Sequence, residues 1–174
     1  TFPGPTLPFG MVQLSPDTVI DNMFRCSGYY YADNSTLGFS HTHLSGTGSS
    51  DYGDILLMPT TGELKIKPGP KENPDEGYRS RFDHSTEISK PGYYSVLLQD
   101  YNVAVELTAT TRTGIHRYTF PASQESHIVI DLNHGLKSLG LGFTLGSRIT
   151  IVDNCTIEGY RSSSGWTPCH IVYF

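Results

Sequence analysis

Short runs of β-branched and aromatic residues recur along the chain, each closed by residues that favour turns. The clearest are 93–98 (YYSVLL), 103–110 (VAVELTAT), 114–120 (GIHRYTF) and 127–132 (HIVIDL). Gln99-Asp100-Tyr101-Asn102, Arg112-Thr113 and Pro121-Ala122-Ser123 separate them. In VAVELTAT the period is two: Val103, Val105, Leu107 and Ala109 share one face, and Ala104, Glu106 and Thr108 take the other. A second group covers 144–152, 155–161 and 170–174, with Asp153-Asn154 turning between the first two. No stretch of ten or more residues free of Gly and Pro keeps a 3.6-residue period. The pattern predicts an all-β fold, an antiparallel β-sandwich with little helix. The segment 67–77 (KPGPKENPDEG) is the expected flexible loop.

The 174 residues suit one domain with a real core. A net charge of −5, with no block of like charges, argues against nucleic acid as a partner, because phosphate binding needs a basic face. No apolar run is long enough to span a membrane as a helix. The chain opens at Thr1 without a charged, apolar leader, and both ends read as cut from a longer protein. Cys26, Cys155 and Cys169 are spaced too irregularly for a zinc knuckle, and read as buried free thiols or, for the last two, a bridge. Asn34-Ser35-Thr36 and Asn154-Cys155-Thr156 match the glycosylation sequon, a short pattern of little weight.

Candidate chemistry concentrates in residues 38–59, GFSHTHLSGTGSSDYGDILLMP, where a polar, glycine-rich loop precedes a buried apolar run. In a strand, His41 and His43 would point the same way. Three readings fit the pair: transition-metal ligands completed by Asp51 or Asp54, imidazoles bonded within a polar loop, or donors to a polyhydroxylated ligand. The stretch Leu44-Ser45-Gly46-Thr47-Gly48-Ser49-Ser50 lacks the Lys of a phosphate loop. Its glycines and hydroxyls suit sugar hydroxyls as well as they suit a turn. Tyr29-Tyr30-Tyr31, with Phe24, Phe39 and Tyr52, forms an aromatic concentration fit either to stack on pyranose rings or to fill a core. Asp17, Asp33, Asp51 and Asp54 are candidate acids or bases, but no nucleophilic triad declares itself.

Taken together, TFPGPTLPFGMVQLSPDT (1–18), SGYYY (27–31), the 38–59 segment, KPGYYSVLL (90–98), ELTATTRTGIHRYTFP (106–121) and IVIDL (128–132) resemble the N-terminal domain of family 92 glycoside hydrolases. The resemblance implies a non-catalytic β-sandwich, packed in the parent enzyme against an (α/α)6 barrel that follows Phe174. It implies a calcium-dependent, inverting exo-α-mannosidase, periplasmic or secreted and of bacterial type, acting on mannose-containing glycans. The acid, the base and most calcium contacts would belong to the barrel. Ca²⁺ prefers oxygen ligands, which argues against His41 and His43 as its ligands.

On this resemblance the substrate-binding residues offered by the domain are Phe24, Ser27, Tyr29, His41, His43, Ser45, Gly46, Thr47, Gly48 and Asp51. Several α-1,2-selective members carry a Trp shortly before Ser-Gly-Tyr; Asn22-Met23-Phe24-Arg25 stand there in this chain. A free-standing carbohydrate-binding module and a purely structural domain are the alternatives. An isolated domain of this kind would also expose an apolar patch where the barrel docks.

Overall fold

The computed structural model describes residues 1–45, 50–137 and 142–174. Thirteen strands lie among them: β1 (Ser15–Asp17), β2 (Ser35–Thr36), β3 (Gly38–Ser40), β4 (Leu56–Thr61), β5 (Ser80–Arg81), β6 (Ile88–Lys90) and β7 (Tyr93–Leu98), followed by β8 (Val103–Ala109), β9 (Gly114–Thr119), β10 (Ser126–Asp131), β11 (Thr144–Ile151), β12 (Ile157–Ser163) and β13 (His170–Tyr173). Helical structure among the described residues is limited to the 3-10 turns Met23–Arg25, Pro74–Glu76 and His84–Thr86.

Two four-stranded antiparallel sheets, in the orders β1-β3-β4-β10 and β6-β7-β8-β9, face each other across the core. Phe39, Leu56 and Met58 come from the first sheet; Tyr94, Val96, Leu98, Val103, Val105 and Leu107 come from the second. The alternation read in VAVELTAT is the one observed, with Val103, Val105, Leu107 and Ala109 buried and the residues between them half-buried. Each buried aliphatic side chain contributes roughly 1.5–3 kcal/mol. A one-residue slip of β8 would turn all of them outward, so burial sets the register. The short β2–β5 pair is braced by the buried Arg79, whose Nη1 donates to Ser35 Oγ (3.1 Å) and to the Thr18 carbonyl (3.2 Å).

A third sheet, β11-β12-β13, is joined to the sandwich by a buried ion pair. The fully buried Arg161 on β12 pairs through Nη1 with Asp54, and its Nε donates to the Leu132 carbonyl (3.1 Å). One face of this sheet is apolar and uncovered: Ile151 pairs with Ile157, Ile149 lies two positions along, and the three are 78%, 39% and 41% exposed. An exposed apolar face of this kind is the surface expected where another domain docks.

Several sequence expectations shift. Strand β12 begins at Ile157 rather than Cys155, because Asp153 Oδ1 accepts from the Cys155 amide (2.8 Å) and extends the turn. The 67–77 loop is tied at its end, with Tyr78 N donating to Lys67 O (2.8 Å) and Arg79 N to Pro68 O (3.0 Å). Cys155 and Cys169 are exposed and form no bridge, and Cys26 is buried.

Candidate functional site

The segment 22–31 builds an open cleft. Asn22 Oδ1 caps the Met23–Arg25 turn by accepting from Phe24 N (2.9 Å), and the turn lifts the Phe24 ring into solvent, 77% exposed. The Arg25 guanidinium lies 3.5 Å over the Tyr30 ring. Phe2, Phe24, Arg25, Ser27, Tyr29 and Tyr31 line a depression of about 690 Å³. Tyr29 is anchored from behind, its hydroxyl donating to Glu87 (2.9 Å). Burial, and then the Glu87 carboxylate, push the Tyr29 phenol upward, so it remains a donor. Glu87 also accepts from the Tyr94 hydroxyl (2.7 Å) and faces His84 Nδ1 (2.7 Å).

One ring deeper lies a buried charge cluster. Phe2 packs on His43, with ring centroids 5.4 Å apart. His43 Nδ1 donates to the Gln13 carbonyl (2.5 Å), and Nε2 faces Asp17 Oδ1 (2.7 Å). The ring is thus held on both sides, by the Gln13 carbonyl and by the Asp17 carboxylate. The second oxygen of Asp17 accepts from His134 Nε2 (2.7 Å) and Ser40 Oγ (2.6 Å). Burial alone would raise the pKa of Asp17; the two imidazoles outweigh it and hold the carboxyl well below the usual range.

His41 belongs elsewhere. Strand β3 ends at Ser40 and the chain bends, so the expected common direction of His41 and His43 is lost. His41 Nδ1 donates to the Ile55 carbonyl (2.6 Å), leaving Nε2 as a lone pair facing His116 Nε2 (3.1 Å). His116 Nε2 therefore carries hydrogen, and its Nδ1 accepts from the Tyr118 hydroxyl (2.7 Å). One carbonyl fixes the whole chain of tautomers, with both rings neutral. Burial, partly offset by the Ile55 bond and reinforced by the charge on His43, pushes His41 downward. Burial first, and His41 second, bring His116 down to about 3. The two histidines of His-Thr-His are thus held by different partners in separate networks.

The remaining candidates divide. Asp51 is buried, and its carboxylate accepts from the backbone amides of Tyr52 (2.8 Å) and Trp166 (2.9 Å), bracing the C-terminal loop. Ser45 is exposed. Gly46, Thr47 and Gly48 lie outside the described residues. The structure therefore gathers Phe24, Ser27 and Tyr29 at one cleft with His43 behind it, and sets His41 and Asp51 in separate networks. The supporting groups His134, His116 and Glu87 escaped the sequence reading, since each meets its partner only through the fold.

Comparison with known proteins decides the family. The family model for the glycosyl hydrolase family 92 N-terminal domain matches residues 1–174. The chain belongs to that family. It superposes on the family 92 alpha-mannosidase BT3965 from Bacteroides thetaiotaomicron with a TM-score of 0.94 and 44% identity, covering 99% of this chain and 23% of that one. That enzyme has also been solved in complex with mannoimidazole. A family 92 inverting mannosidase, BT2199 from the same bacterium, shares the fold at 22% identity and a TM-score of 0.68, over 99% of this chain and 25% of that one. An uncharacterized secreted glycosidase of Arthroderma benhamiae is 27% identical over 128 residues, 69% of this chain and 15% of its own length. The chain thus spans about a quarter or less of the relatives it matches.

Within the family 92 domain, calcium finds no seat among the described residues. No group of three or more His, Cys, Asp or Glu there is arranged to hold a metal ion, and the buried carboxylates of Asp17 and Asp54 are occupied by imidazoles and by Arg161. A hard cation needs six or more oxygens, and these carboxylates do not offer them. The divergence of His41 and His43 likewise removes the reading in which they ligate one transition metal together.

Proposed function

We propose that this chain is the non-catalytic N-terminal domain of an inverting, calcium-dependent exo-α-mannosidase that acts on mannose-containing glycans in the periplasm or outside the cell. The observation that carries the proposal is the open cleft, where the exposed rings of Phe24 and Tyr31 flank the buried Ser27, which lines its wall. Aromatic faces stack on the apolar faces of pyranose rings, and a hydroxyl donates to or accepts from sugar hydroxyls. The domain binds and orients one side of the sugar, while the acid and base belong to the barrel.

Calcium, held by oxygen ligands from the rest of the enzyme, would supply Lewis-acid help in distorting the sugar. The Ile149, Ile151 and Ile157 face favours docking against that barrel over a free-standing binding module. Phe24→Ala and Tyr31→Ala in the full-length protein test the reading. Loss of a stacked ring at about 0.5–1.5 kcal/mol corresponds to roughly 2- to 12-fold in kcat/KM for an aryl α-mannoside. Wild-type kinetics in both, and in His43→Ala, would reduce the domain to scaffolding. The isolated chain is expected to hydrolyse no mannoside.

A further inference from the structure

Asp17 stands where three segments remote in sequence meet. Its Oδ1 holds His43, and through the His43 Nδ1 bond it reaches Gln13. Its Oδ2 holds Ser40 and His134, the latter 117 positions away. The same oxygen that holds His43 also supports the cleft floor. Gly28 has φ +75°, and a Cβ placed on it would lie 2.2 Å from Asp17 Oδ1 and 3.0 Å from Leu136. The backbone of the following residues is latched to the same strand end: Thr18 N donates to the Gly28 carbonyl (2.7 Å), and Tyr30 N donates to Thr18 Oγ1 (2.9 Å). The carboxylate is completely buried and bonded to both imidazoles. A buried carboxylate bonded through both oxygens to three side chains is held in one geometry, and removing it leaves buried partners unsatisfied.

We propose that Asp17 is the positioning residue of the cleft, a single carboxylate that holds the 27–31 floor, the His-Thr-His turn and the 132–136 loop in one fixed arrangement. It touches no ligand itself and acts through Gly28, His43 and His134. The inference rests on the mannoside reading of the cleft only for its kinetic consequence; the geometric claim stands apart from it.

Hydrogen–deuterium exchange by mass spectrometry on the full-length protein separates the two. In Asp17→Asn, one of the two oxygens becomes an NH₂ group, so the side chain cannot accept from both imidazoles where they stand. Peptides spanning 24–31, 41–45 and 132–136 should exchange about tenfold faster or more, while the β7–β8 core peptides keep wild-type protection. His134→Gln, a milder change that leaves the Asp17–His43 pair intact, should loosen 132–136 first. It keeps the test decisive should Asp17→Asn fail to fold. In both variants kcat/KM for an aryl α-mannoside should fall with the local loosening, whereas Arg81→Ala, a surface ion-pair variant remote from the cluster, should leave both readouts unchanged. Unchanged exchange in the three segments, or an equal rise across core and cleft, overturns the positioning role. Faster local exchange with wild-type kinetics upholds it and instead removes the cleft from substrate recognition.

Discussion

The His41–His116 contact makes stability depend on pH in a defined direction. In the native state His116 resists protonation down to about 3, because it is buried against His41. In the unfolded chain a histidine takes up its proton near pH 6.5. Below pH 6.5 the unfolded state therefore binds more protons than the native state, and stability falls as pH falls. The contribution is intact above about 6.5 and is lost progressively on the way down to about 3. Each unit inside that window costs about 1.4 kcal/mol, so pH 4.5 should cost about 2.7 kcal/mol through His116 alone. His116→Gln removes the titration while keeping a side-chain amide that can donate to His41 Nε2. Urea unfolding of wild type and variant, followed by circular dichroism between pH 7 and 4.5, gives the difference in slope, and the other histidines cancel in it. A variant whose stability falls with acid as steeply as wild type would refute the neutral, buried pair.

Two further outcomes follow from the packing. Gly28→Ala forces a left-handed backbone on a residue with a Cβ and drives that Cβ into the Asp17 carboxylate; a loss of about 2–5 kcal/mol is expected in urea unfolding. Arg161→Met removes the guanidinium from the buried Asp54 carboxylate, at a cost of about 3–5 kcal/mol, and the double variant with Asp54→Asn should recover part of it; a double variant no more stable than the single would contradict the pairing.

Much of the sandwich was legible because burial on β7 and β8 imposes a strict period of two, visible in YYSVLL and VAVELTAT. The apolar run after the glycine-rich loop was equally plain, and Ile55, Leu56 and Met58 are buried. The period rule failed at His41-Thr42-His43 because β3 stops one residue earlier, so the two rings part company. Asp51 looked like a ligand-facing carboxylate, but the Trp166 amide, far along the chain, takes it. Spacing along a sequence carries no record of such partners. The same limit hid the Asp17 cluster, whose members His43 and His134 stand 26 and 117 positions from it. The cleft was half legible: the aromatic concentration at 24–31 announced it, while Phe2 entered only through the fold.

The most direct test of the proposed role is a crystal structure of the full-length protein with mannoimidazole bound. Phe24, Ser27 or Tyr29 should lie within about 4 Å of the inhibitor, with His43 behind Phe2 and still paired to Asp17. An inhibitor enclosed entirely by residues beyond 174, with the cleft open to solvent and away from the sugar, would contradict it.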